Sequence, residues 1–209
     1  EHDASIFLGN GDGTFMNELS GAITATAPRA IAIGNFNGSA FLDMAIANQD
    51  SNSLTILTGN GDGSFTLSQN LSVGNAPSAV IVADFNGDGK LDLASTNQGD
   101  NTLTILLGNG DGTFTLHSTP STGAAPVSLA AGDFDGDGKL DLAVSNSGDA
   151  TTSLLLGNGD GTFQPRLDSP ASATPAQLVA GDFNQDGKLD LAVPCSTVNA
   201  VTIQLQPKP

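Results

Sequence analysis

Short apolar runs alternate with polar, glycine-rich turns along the whole chain. In one representative stretch the apolar runs cover residues 79–83, 91–94, 103–107 and 114–116, with Gly, Asn and Asp concentrated between them. Runs of about five residues bounded by turn-forming residues are typical of β-strands. Because no stretch shows the period of an amphipathic helix, the pattern predicts an all-β protein.

The strand-and-turn pattern recurs with a period of 49 or 50 residues, which indicates stacked supersecondary units. One proline per unit precedes the first run, at Pro28, Pro77, Pro126 and Pro175. A turn of sequence Gly-Asn-Gly-Asp-Gly-(Thr/Ser)-Phe ends at Phe15, Phe65, Phe114 and Phe163. We predict units of four strands. Their bounds are 1–27 for a partial unit, 28–76, 77–125 and 126–174 for three full units, and 175–209 for a truncated unit.

The order of strands at the two ends favours an open array. Residues 5–8 match the third strand of a unit, and residues 201–205 match that same strand. The chain therefore holds five copies of the third strand and four of each other strand. A closed ring of four units has no place for the extra copy. We predict tandem four-stranded β repeats in an open-ended, fibre-like or solenoid-like stack, with a partial or oligomer-completed β-propeller as the alternative.

The formal net charge of −16 excludes some classes of partner. Only six Lys or Arg residues are present, so the basic surface that nucleic-acid binding requires is missing. No apolar run approaches the roughly 20 residues of a membrane span, and we predict no membrane insertion. Of the 22 acidic residues, 15 lie in two repeated strings, so the acidity marks particular sites.

The longer acidic string has the spacing of a calcium-binding loop. Residues 133–141 read Asp-Phe-Asp-Gly-Asp-Gly-Lys-Leu-Asp, which matches the first nine positions of an EF-hand loop. Carboxylates this close repel one another unless a cation lies between them, and oxygen ligands favour Ca²⁺. The string lacks the Glu of position twelve and is flanked by predicted strands, so it is not an EF-hand.

We predict that three such loops bind Ca²⁺ with equivalent ligands. In the central loop the side chains of Asp133, Asp135 and Asp137 provide oxygens. Lys139 provides its backbone carbonyl, and Asp141 closes the coordination sphere. The equivalent residues are Asp84, Asn86, Asp88, Lys90 and Asp92 in the preceding unit, and Asp182, Asn184, Asp186, Lys188 and Asp190 in the following unit. Three bound ions would change the formal net charge from −16 to −10.

Two further features are weaker candidates for cation sites. The loop of the first full unit, residues 35–43, keeps a single carboxylate, Asp43, and we predict weak calcium binding there or none. The Gly-Asn-Gly-Asp-Gly turns carry one carboxylate each, at Asp12, Asp62, Asp111 and Asp160. Because Asn-Gly and Asp-Gly pairs suit tight hairpins, a plain turn is favoured there over a second cation site.

The acidic loop and the Gly-Asn-Gly-Asp-Gly turn together resemble the motifs of the FG-GAP/VCBS repeat family. The matching strings are residues 84–94 and 107–114, and the resemblance extends over nearly the whole chain. This family includes the calcium-loop blades of integrin α-subunit propellers and many secreted bacterial proteins. The resemblance implies four-stranded β units, calcium as the cofactor, an extracellular, secreted or cell-surface location, and adhesive or structural roles.

The reactive side chains do not indicate an active site. His2 and His117 lie outside the repeated motifs, where a solvated side chain is the simpler interpretation. The single cysteine, Cys195, excludes an internal disulfide and is typical of a buried thiol. No nucleophile motif occurs, and carboxylates repeated in three units do not resemble the single pair of a glycosidase. We therefore predict that the protein is not an enzyme.

Two functions remain open. The favoured one is a non-catalytic structural element of a surface fibre, stalk or matrix, rigidified by calcium and self-associating through open repeat ends or edge strands. The alternative is an adhesive propeller module that binds a glycan or a protein. Such sites usually expose aromatic side chains, and outside the two repeated Phe positions the chain has only Phe7 and Phe41.

Overall fold

The structure is a computed structural model that describes residues 5–16 and 27–205. In these two segments fifteen strands form four antiparallel sheets. The prediction of an all-β chain with four-stranded units in tandem is confirmed. The same two segments contain no helix of the length and apolarity needed to cross a membrane.

Each sheet consists of strands that follow one another in sequence, and we number the sheets in chain order. Sheet 1 contains β1 (Pro28–Gly34), β2 (Asp43–Asn48), β3 (Ser53–Gly59) and β4 (Phe65–Ser72). Sheet 2 contains β5 (Pro77–Ala83), β6 (Asp92–Asn97), β7 (Thr102–Gly108) and β8 (Phe114–Ser118). Sheet 3 contains β9 (Pro126–Gly132), β10 (Asp141–Asn146), β11 (Thr151–Leu155) and β12 (Leu167–Pro170). Sheet 4 has three strands among the described residues, β13 (Val179–Gly181), β14 (Asp190–Cys195) and β15 (Ala200–Gln204).

The repeated motifs mark equivalent places in these sheets. The first strand begins at the repeat proline in sheets 1, 2 and 3, where the missing N–H of proline costs no ladder hydrogen bond. The acidic string joins the first strand to the second, and the Gly-Asn-Gly-Asp-Gly turn follows the third strand. The four apolar runs that the sequence shows within residues 77–125 correspond to β5 to β8, within three residues at each end.

The predicted partial unit, residues 1–27, is described only over residues 5–16. In this segment Gly9 forms an isolated antiparallel bridge with Phe15, and Ile6 packs against sheet 1. The segment therefore lies where the third strand of a preceding unit would lie. The predicted fourth strand of this unit lies largely outside the described residues, and so does His2.

The hydrophobic core lies between sheets that stack face to face. Side chains from sheets 1 and 2 form one cluster, sheets 2 and 3 a second, and sheets 3 and 4 a third. The second strands β2, β6 and β10 are buried along their whole length, because a neighbour covers each of their two faces. This explains why these strands are rich in Ala, Ser and Thr, which fit between closely packed sheets.

Phenylalanine pairs connect consecutive units. Phe36 and Phe85 each follow the first residue of an acidic loop, and both are buried. Phe114 meets the ring of Phe36 edge-on at a centroid distance of 5.2 Å, and Phe163 meets Phe85 at 6.0 Å. Because each pair spans two units, this arrangement fixes one sheet against the next. The first strands of consecutive sheets also lie against one another.

Candidate metal centre

The three complete acidic loops occupy the same place in sheets 2, 3 and 4. They connect β5 to β6, β9 to β10 and β13 to β14. A shallow pocket between the second and third of these loops is lined by Asp133 and Asp135 on one side and by Gly187 and Lys188 on the other. The stacking of sheets 3 and 4 therefore places these two candidate cation loops beside one another.

The first aspartate of each loop organises the backbone around it. In the central loop the carboxylate of Asp133 accepts hydrogen bonds from the amides of Gly136, Asp137 and Gly138 at 2.7 to 3.1 Å. The positive φ of Gly138, 84°, lets the chain turn sharply enough to bring these amides together. Asp84 and Asp182 accept equivalent bonds in their own loops.

Three carboxylates converge in the central loop. One oxygen from each of Asp133, Asp135 and Asp141 lies within 4.8 Å of the others. Calcium binds oxygens at about 2.3–2.6 Å, so ligands on opposite sides of one ion lie about 5 Å apart. The spacing of these three side chains therefore fits a shared calcium ion.

The predicted ligand Asp137 lies outside this group of three. Its carboxylate accepts a hydrogen bond from the Lys139 ammonium at 2.8 Å and another from the Lys139 amide at 2.9 Å. These two bonds, the side-chain bond first, hold the pKa of Asp137 below its usual value. In the preceding loop Asp88 accepts the Lys90 amide in the same way, and the ammonium of Lys90 lies 3.6 Å from its carboxylate.

The loops around Asn86 and Asn184 share this backbone but carry one carboxylate fewer. The side-chain oxygen of Asn86 accepts the amide of Asp88 at 3.0 Å, and that of Asn184 accepts the amide of Asp186 at 2.9 Å. An amide oxygen is also a calcium ligand, so the donor set remains all-oxygen. Calcium binding by the backbone carbonyls of Lys90, Lys139 and Lys188 stays a prediction.

The aspartate at the ninth loop position has a structural role that the sequence analysis missed. Asp92 is fully buried, and its two oxygens accept the amides of Phe85 and Gly108, each at 2.8 Å. Burial raises the pKa of Asp92, although these two bonds oppose the shift. Gly108 permits this approach, because a Cβ there would lie 2.1 Å from the carbonyl oxygen of Leu91. The carboxylate thus joins the loop to the third strand.

The incomplete loop keeps this buried carboxylate and little else. Asp43 accepts the amide of Phe36 at 2.7 Å and that of Gly59 at 2.9 Å, as Asp92 does in the next unit. At the third loop position the side-chain oxygen of Asn37 accepts the amide of Ser39. The retention of Asp43 in a loop that has lost its other carboxylates was the sequence signal for a role beyond metal binding.

The Gly-Asn-Gly-Asp-Gly turns have the hydrogen bonds of a closed hairpin. The carboxylate of Asp111 accepts both the hydroxyl and the amide of Thr113, at 2.6 and 3.0 Å. These bonds, the hydroxyl bond first, lower the pKa of Asp111. Asp12, Asp62 and Asp160 make the same pair of contacts in their turns.

The two remaining reactive side chains that the structure describes lie apart from the loops. His117 is exposed on β8, and Cys195 is a free, buried thiol at the end of β14. Both positions agree with the simpler interpretations drawn from the sequence.

The repeated loop and the sheets that carry it match a known family. The sequence model of the FG-GAP-like repeat matches three times, over residues 35–95, 84–144 and 133–193. The chain belongs to the FG-GAP-like repeat family. Each match runs from one acidic loop to the next, so the region that the family model covers includes parts of two consecutive sheets. A comparison with curated protein sequences gives no significant match.

Solved structures of similar fold include two lactonases. A putative 6-phosphogluconolactonase from Bacteroides uniformis has a TM-score of 0.71 and 15% identity, covering 98% of this chain and 61% of its own. The periplasmic gluconolactonase PpgL of Pseudomonas aeruginosa has a TM-score of 0.59 and 14% identity, covering 94% and 46%. A protein from Lactobacillus plantarum has a TM-score of 0.61 and 14% identity, covering 97% and 62%. The FG-GAP-like chain thus spans less than two thirds of each of these proteins.

These neighbours contradict the prediction that the protein is not an enzyme. Two of the three are named as lactonases, so enzymes occur among the proteins that share this fold. At identities of 14 and 15% the likeness extends to the fold alone. The prediction failed because it relied on missing sequence motifs, whereas a fold of this kind can carry catalytic groups on loops that no short motif identifies.

Proposed function

We propose that this FG-GAP-like protein is an extracellular calcium-binding protein, in which occupied loops stiffen a stack of β units within a surface fibre, stalk or matrix. The observation that carries the proposal is the convergence of Asp133, Asp135 and Asp141 within 4.8 Å. Two other loops in the stack share the backbone geometry of that loop.

Electrostatics supports a cation at the convergence point. Carboxylate oxygens that lie within 4.8 Å of one another repel by about 3 kcal/mol or more at an effective dielectric constant of about 20. Asp141 is buried among backbone amides, and burial raises its pKa. A divalent ion would turn this repulsion into attraction, and it would tie the acidic loop to the start of β10.

The kind of site supports an extracellular location. Loops with three or four carboxylates and no bidentate Glu at position twelve suit modest affinities, of about 10⁻⁴ to 10⁻³ M, as in extracellular calcium modules. Sites of this strength are occupied where calcium is abundant. The strongly acidic surface, with a formal net charge of −16, also favours a solvated exterior role.

Calcium titration by isothermal calorimetry tests the proposal. We expect three bound ions per chain, and two after Asp135→Ala, because that change removes one of the three converging carboxylates. Asn37→Ala is the matched control at the third position of the incomplete loop, and it should leave three ions bound. No binding at millimolar calcium, or a stoichiometry that Asp135→Ala leaves unchanged, contradicts the proposal.

An adhesive, partial or oligomer-completed propeller that binds a glycan or a protein is the second candidate. It is favoured by the contact between first strands of consecutive sheets and by the fold likeness to propeller-like lactonases. Electron microscopy separates the two candidates. Filaments with an axial repeat set by the β unit support the fibre, whereas discrete discs support the propeller.

A further inference from the structure

Two of the acidic loops differ at a single residue. Residues 84–94 and 133–143 have the same sequence except at the third position, where Asn86 stands in place of Asp135. Each side-chain oxygen accepts the amide two residues later, at 3.0 Å for Asn86 and at 3.1 Å for Asp135. Because a carboxylate and a carboxamide have nearly the same shape, the backbone of the preceding loop already fits an aspartate at position 86.

Asn86 precedes a glycine, and this pair of residues is chemically reactive. The backbone nitrogen of the residue after an asparagine can attack the side-chain carbonyl carbon, and a glycine leaves that nitrogen least hindered. Gly87 is exposed, and a Cβ built on it would meet no atom within 4 Å. The attacking nitrogen and the water that completes the reaction therefore both have open access to Asn86.

The loop holds the reacting groups together. The bond from the Asp88 amide to the Asn86 side chain closes an Asx turn, and this turn includes the Gly87 nitrogen. The Gly87 amide donates to the Asp84 carboxylate at 2.8 Å. A carboxylate at hydrogen-bond distance can act as the general base that takes this proton. Asp84 thus prepares the glycine nitrogen to attack the neighbouring carboxamide.

The Asn-Gly pairs of the Gly-Asn-Gly-Asp-Gly turns have a different arrangement. There the carboxamide nitrogen of the asparagine donates to a hydroxyl four residues later, at 2.8 to 2.9 Å. This bond ties the carboxamide to the opposite side of the hairpin. The asparagines held in this way are Asn10, Asn60, Asn109 and Asn158.

The incomplete loop has the reactive pair but not the base. The side chain of Asn37 accepts the Ser39 amide at 2.8 Å, and Gly38 follows it, as in the next unit. Asn35 stands at the position of Asp84, and its carboxamide donates to the Ser39 carbonyl. A carboxylate that could accept the glycine amide is therefore replaced by a carboxamide in this loop.

The following acidic loop has the base but not the reactive pair. Asp182 and Asn184 both accept the Asp186 amide, at 3.1 and 2.9 Å. Asn184 precedes Gln185, and the glutamine side chain hinders attack by its backbone nitrogen. Among the loops that the structure describes, Asn86 alone combines a following glycine with a carboxylate acceptor.

We propose that Asn86 is a deamidation site, at which ageing converts the preceding acidic loop into a copy of the central loop. The Gly87 nitrogen forms a bond to the side-chain carbonyl carbon of Asn86 and passes its proton to Asp84. The carbon–nitrogen bond of the carboxamide breaks, and the leaving nitrogen takes that proton and departs as ammonia. Water then adds to the same carbonyl carbon of the cyclic succinimide, whose bond to the Gly87 nitrogen breaks. An aspartate remains at position 86, and the net reaction consumes water and releases ammonia without a change of oxidation state.

The loop favours this aspartate product over isoaspartate. Opening of the succinimide at its other carbonyl carbon would insert a methylene group into the main chain. The Asp84 carboxylate accepts three successive amides, from Gly87, Asp88 and Gly89, at 2.8 to 3.2 Å, and a longer main chain would displace them. An aspartate keeps these bonds, as Asp135 does in the central loop.

The conversion changes how the preceding loop binds calcium. In the central loop one oxygen of Asp135 lies within 4.8 Å of Asp133 and Asp141. A carboxylate at position 86 gives the preceding loop the same donor set, with Asp84 and Asp92 in the equivalent places. Because the charge of the ligands tunes calcium affinity, the converted loop should bind calcium more tightly. This consequence rests on the calcium binding proposed above, whereas the conversion itself does not.

Timed incubation of the whole chain in EDTA, followed by peptide mass spectrometry, tests the conversion. In heavy-oxygen water each deamidation incorporates a labelled oxygen, which distinguishes conversion during the incubation from earlier damage. We expect Asn86 to convert at least about tenfold faster than Asn37 and Asn184, because each of these lacks one of the two requirements. Equal rates at Asn86 and either of the other two overturn the proposal. A product that is entirely isoaspartate, which electron-transfer fragmentation distinguishes, also overturns it.

Two variants exchange the requirements between loops. Gln185→Gly gives Asn184 a following glycine, and this variant should fold because residue 185 has a positive φ of 59°, which glycine adopts readily. Asn184 should then convert about as fast as Asn86 does, since the base is already present. Asp84→Asn removes the base and should slow Asn86 to the rate of Asn37. An Asn184 that stays intact in Gln185→Gly, or an unchanged rate in Asp84→Asn, contradicts the mechanism.

Calorimetry of the fresh chain, the aged chain and Asn86→Asp tests the effect on calcium. We expect one site of Asn86→Asp to bind calcium about tenfold more tightly than in the fresh chain, and the aged chain should match it. Asn70→Asp is the control for added charge, because Asp168 occupies the equivalent place in sheet 3 and accepts the same kind of hydroxyl bond. It should leave every calcium affinity unchanged. Equal affinities in the fresh chain and Asn86→Asp overturn the calcium effect. Conversion of Asn86 in a chain that binds no calcium would contradict the proposed function and support the deamidation site.

Discussion

The second strand of every sheet begins with an aspartate, whose carboxylate accepts the amide of the loop phenylalanine at 2.7 to 3.1 Å. These residues are Asp43, Asp92, Asp141 and Asp190. In Asp43, Asp92 and Asp141 the second carboxylate oxygen accepts a glycine amide at or just after the end of the third strand. A side chain that joins three parts of one unit serves the fold with or without a metal. The sequence predicted only the metal role, because ligand spacing is visible in a string and backbone partners 16 residues away are not.

A substitution of Asp43 distinguishes the structural role of this aspartate from metal binding. Asp43→Ala leaves the amides of Phe36 and Gly59 without their acceptor, and we expect a loss of about 2–4 kcal/mol in the free energy of unfolding. The loss should be equal in calcium and in EDTA, measured by urea denaturation. Asp50→Ala, in the exposed turn after β2, should change stability by less than about 0.5 kcal/mol. A loss that depends on calcium would show that the incomplete loop binds the ion.

The turn carboxylates give a prediction about pH. Thr113→Val removes the hydroxyl bond that lowers the pKa of Asp111, so this pKa should rise toward its usual value of 3.8. A lowered carboxylate pKa stabilises the fold above about pH 3.8, and this contribution is lost as pH falls through the folded-state pKa. The variant should therefore be less stable than the unmodified chain at neutral pH, and the difference should shrink in acid. A carbon-13 titration of Asp111 measures the shift, and an unchanged midpoint contradicts the assignment.

At the scale of strands, local sequence was sufficient for most of the fold. Alternating apolar runs and Asn-Gly turns located β5 to β8 within three residues, because strand length and turn chemistry are local properties. The face that each strand presents to the next sheet was not predictable in this way. The contact between Phe36 and Phe114 joins residues 78 positions apart, and it depends on how two sheets stack.

The contact between Phe36 and Phe114 predicts that sheets 1 and 2 stabilise each other. Phe114 is 3% exposed and lies in the cluster shared by sheets 1 and 2. We expect Phe114→Ala to cost about 3–5 kcal/mol, because it leaves a cavity where two units meet. Leu116→Ala, two residues further along the same strand and exposed, should cost less than about 0.5 kcal/mol. Urea unfolding measures both, and equal losses would mean that the ring pair does not hold the sheets together.

At the scale of the whole molecule, the period of the sequence predicted tandem units, but not which side chains each unit buries against the next. Burial of Phe85, Leu103 and Ile105 against sheet 3 became visible only in three dimensions. The electrostatic potential is also a property of the whole molecule, because it sums the charges of all units. The three acidic loops, each of which precedes the second strand of its sheet, together add to the negative potential of the molecule.

Calcium should therefore stabilise the molecule as a unit. A ligand that binds only the folded state stabilises it by mass action, by about 1.4 kcal/mol per site at a free concentration tenfold above Kd. Three independent sites add about 4 kcal/mol, and EDTA should lower the melting temperature accordingly. A triple variant, with Asp84, Asp133 and Asp182 each changed to Asn, should melt at one temperature with and without calcium. Stabilisation that persists in the triple variant would mean that calcium binds elsewhere on the chain. If the unmodified chain melts at the same temperature in calcium and in EDTA, calcium binding by the loops does not stabilise the fold.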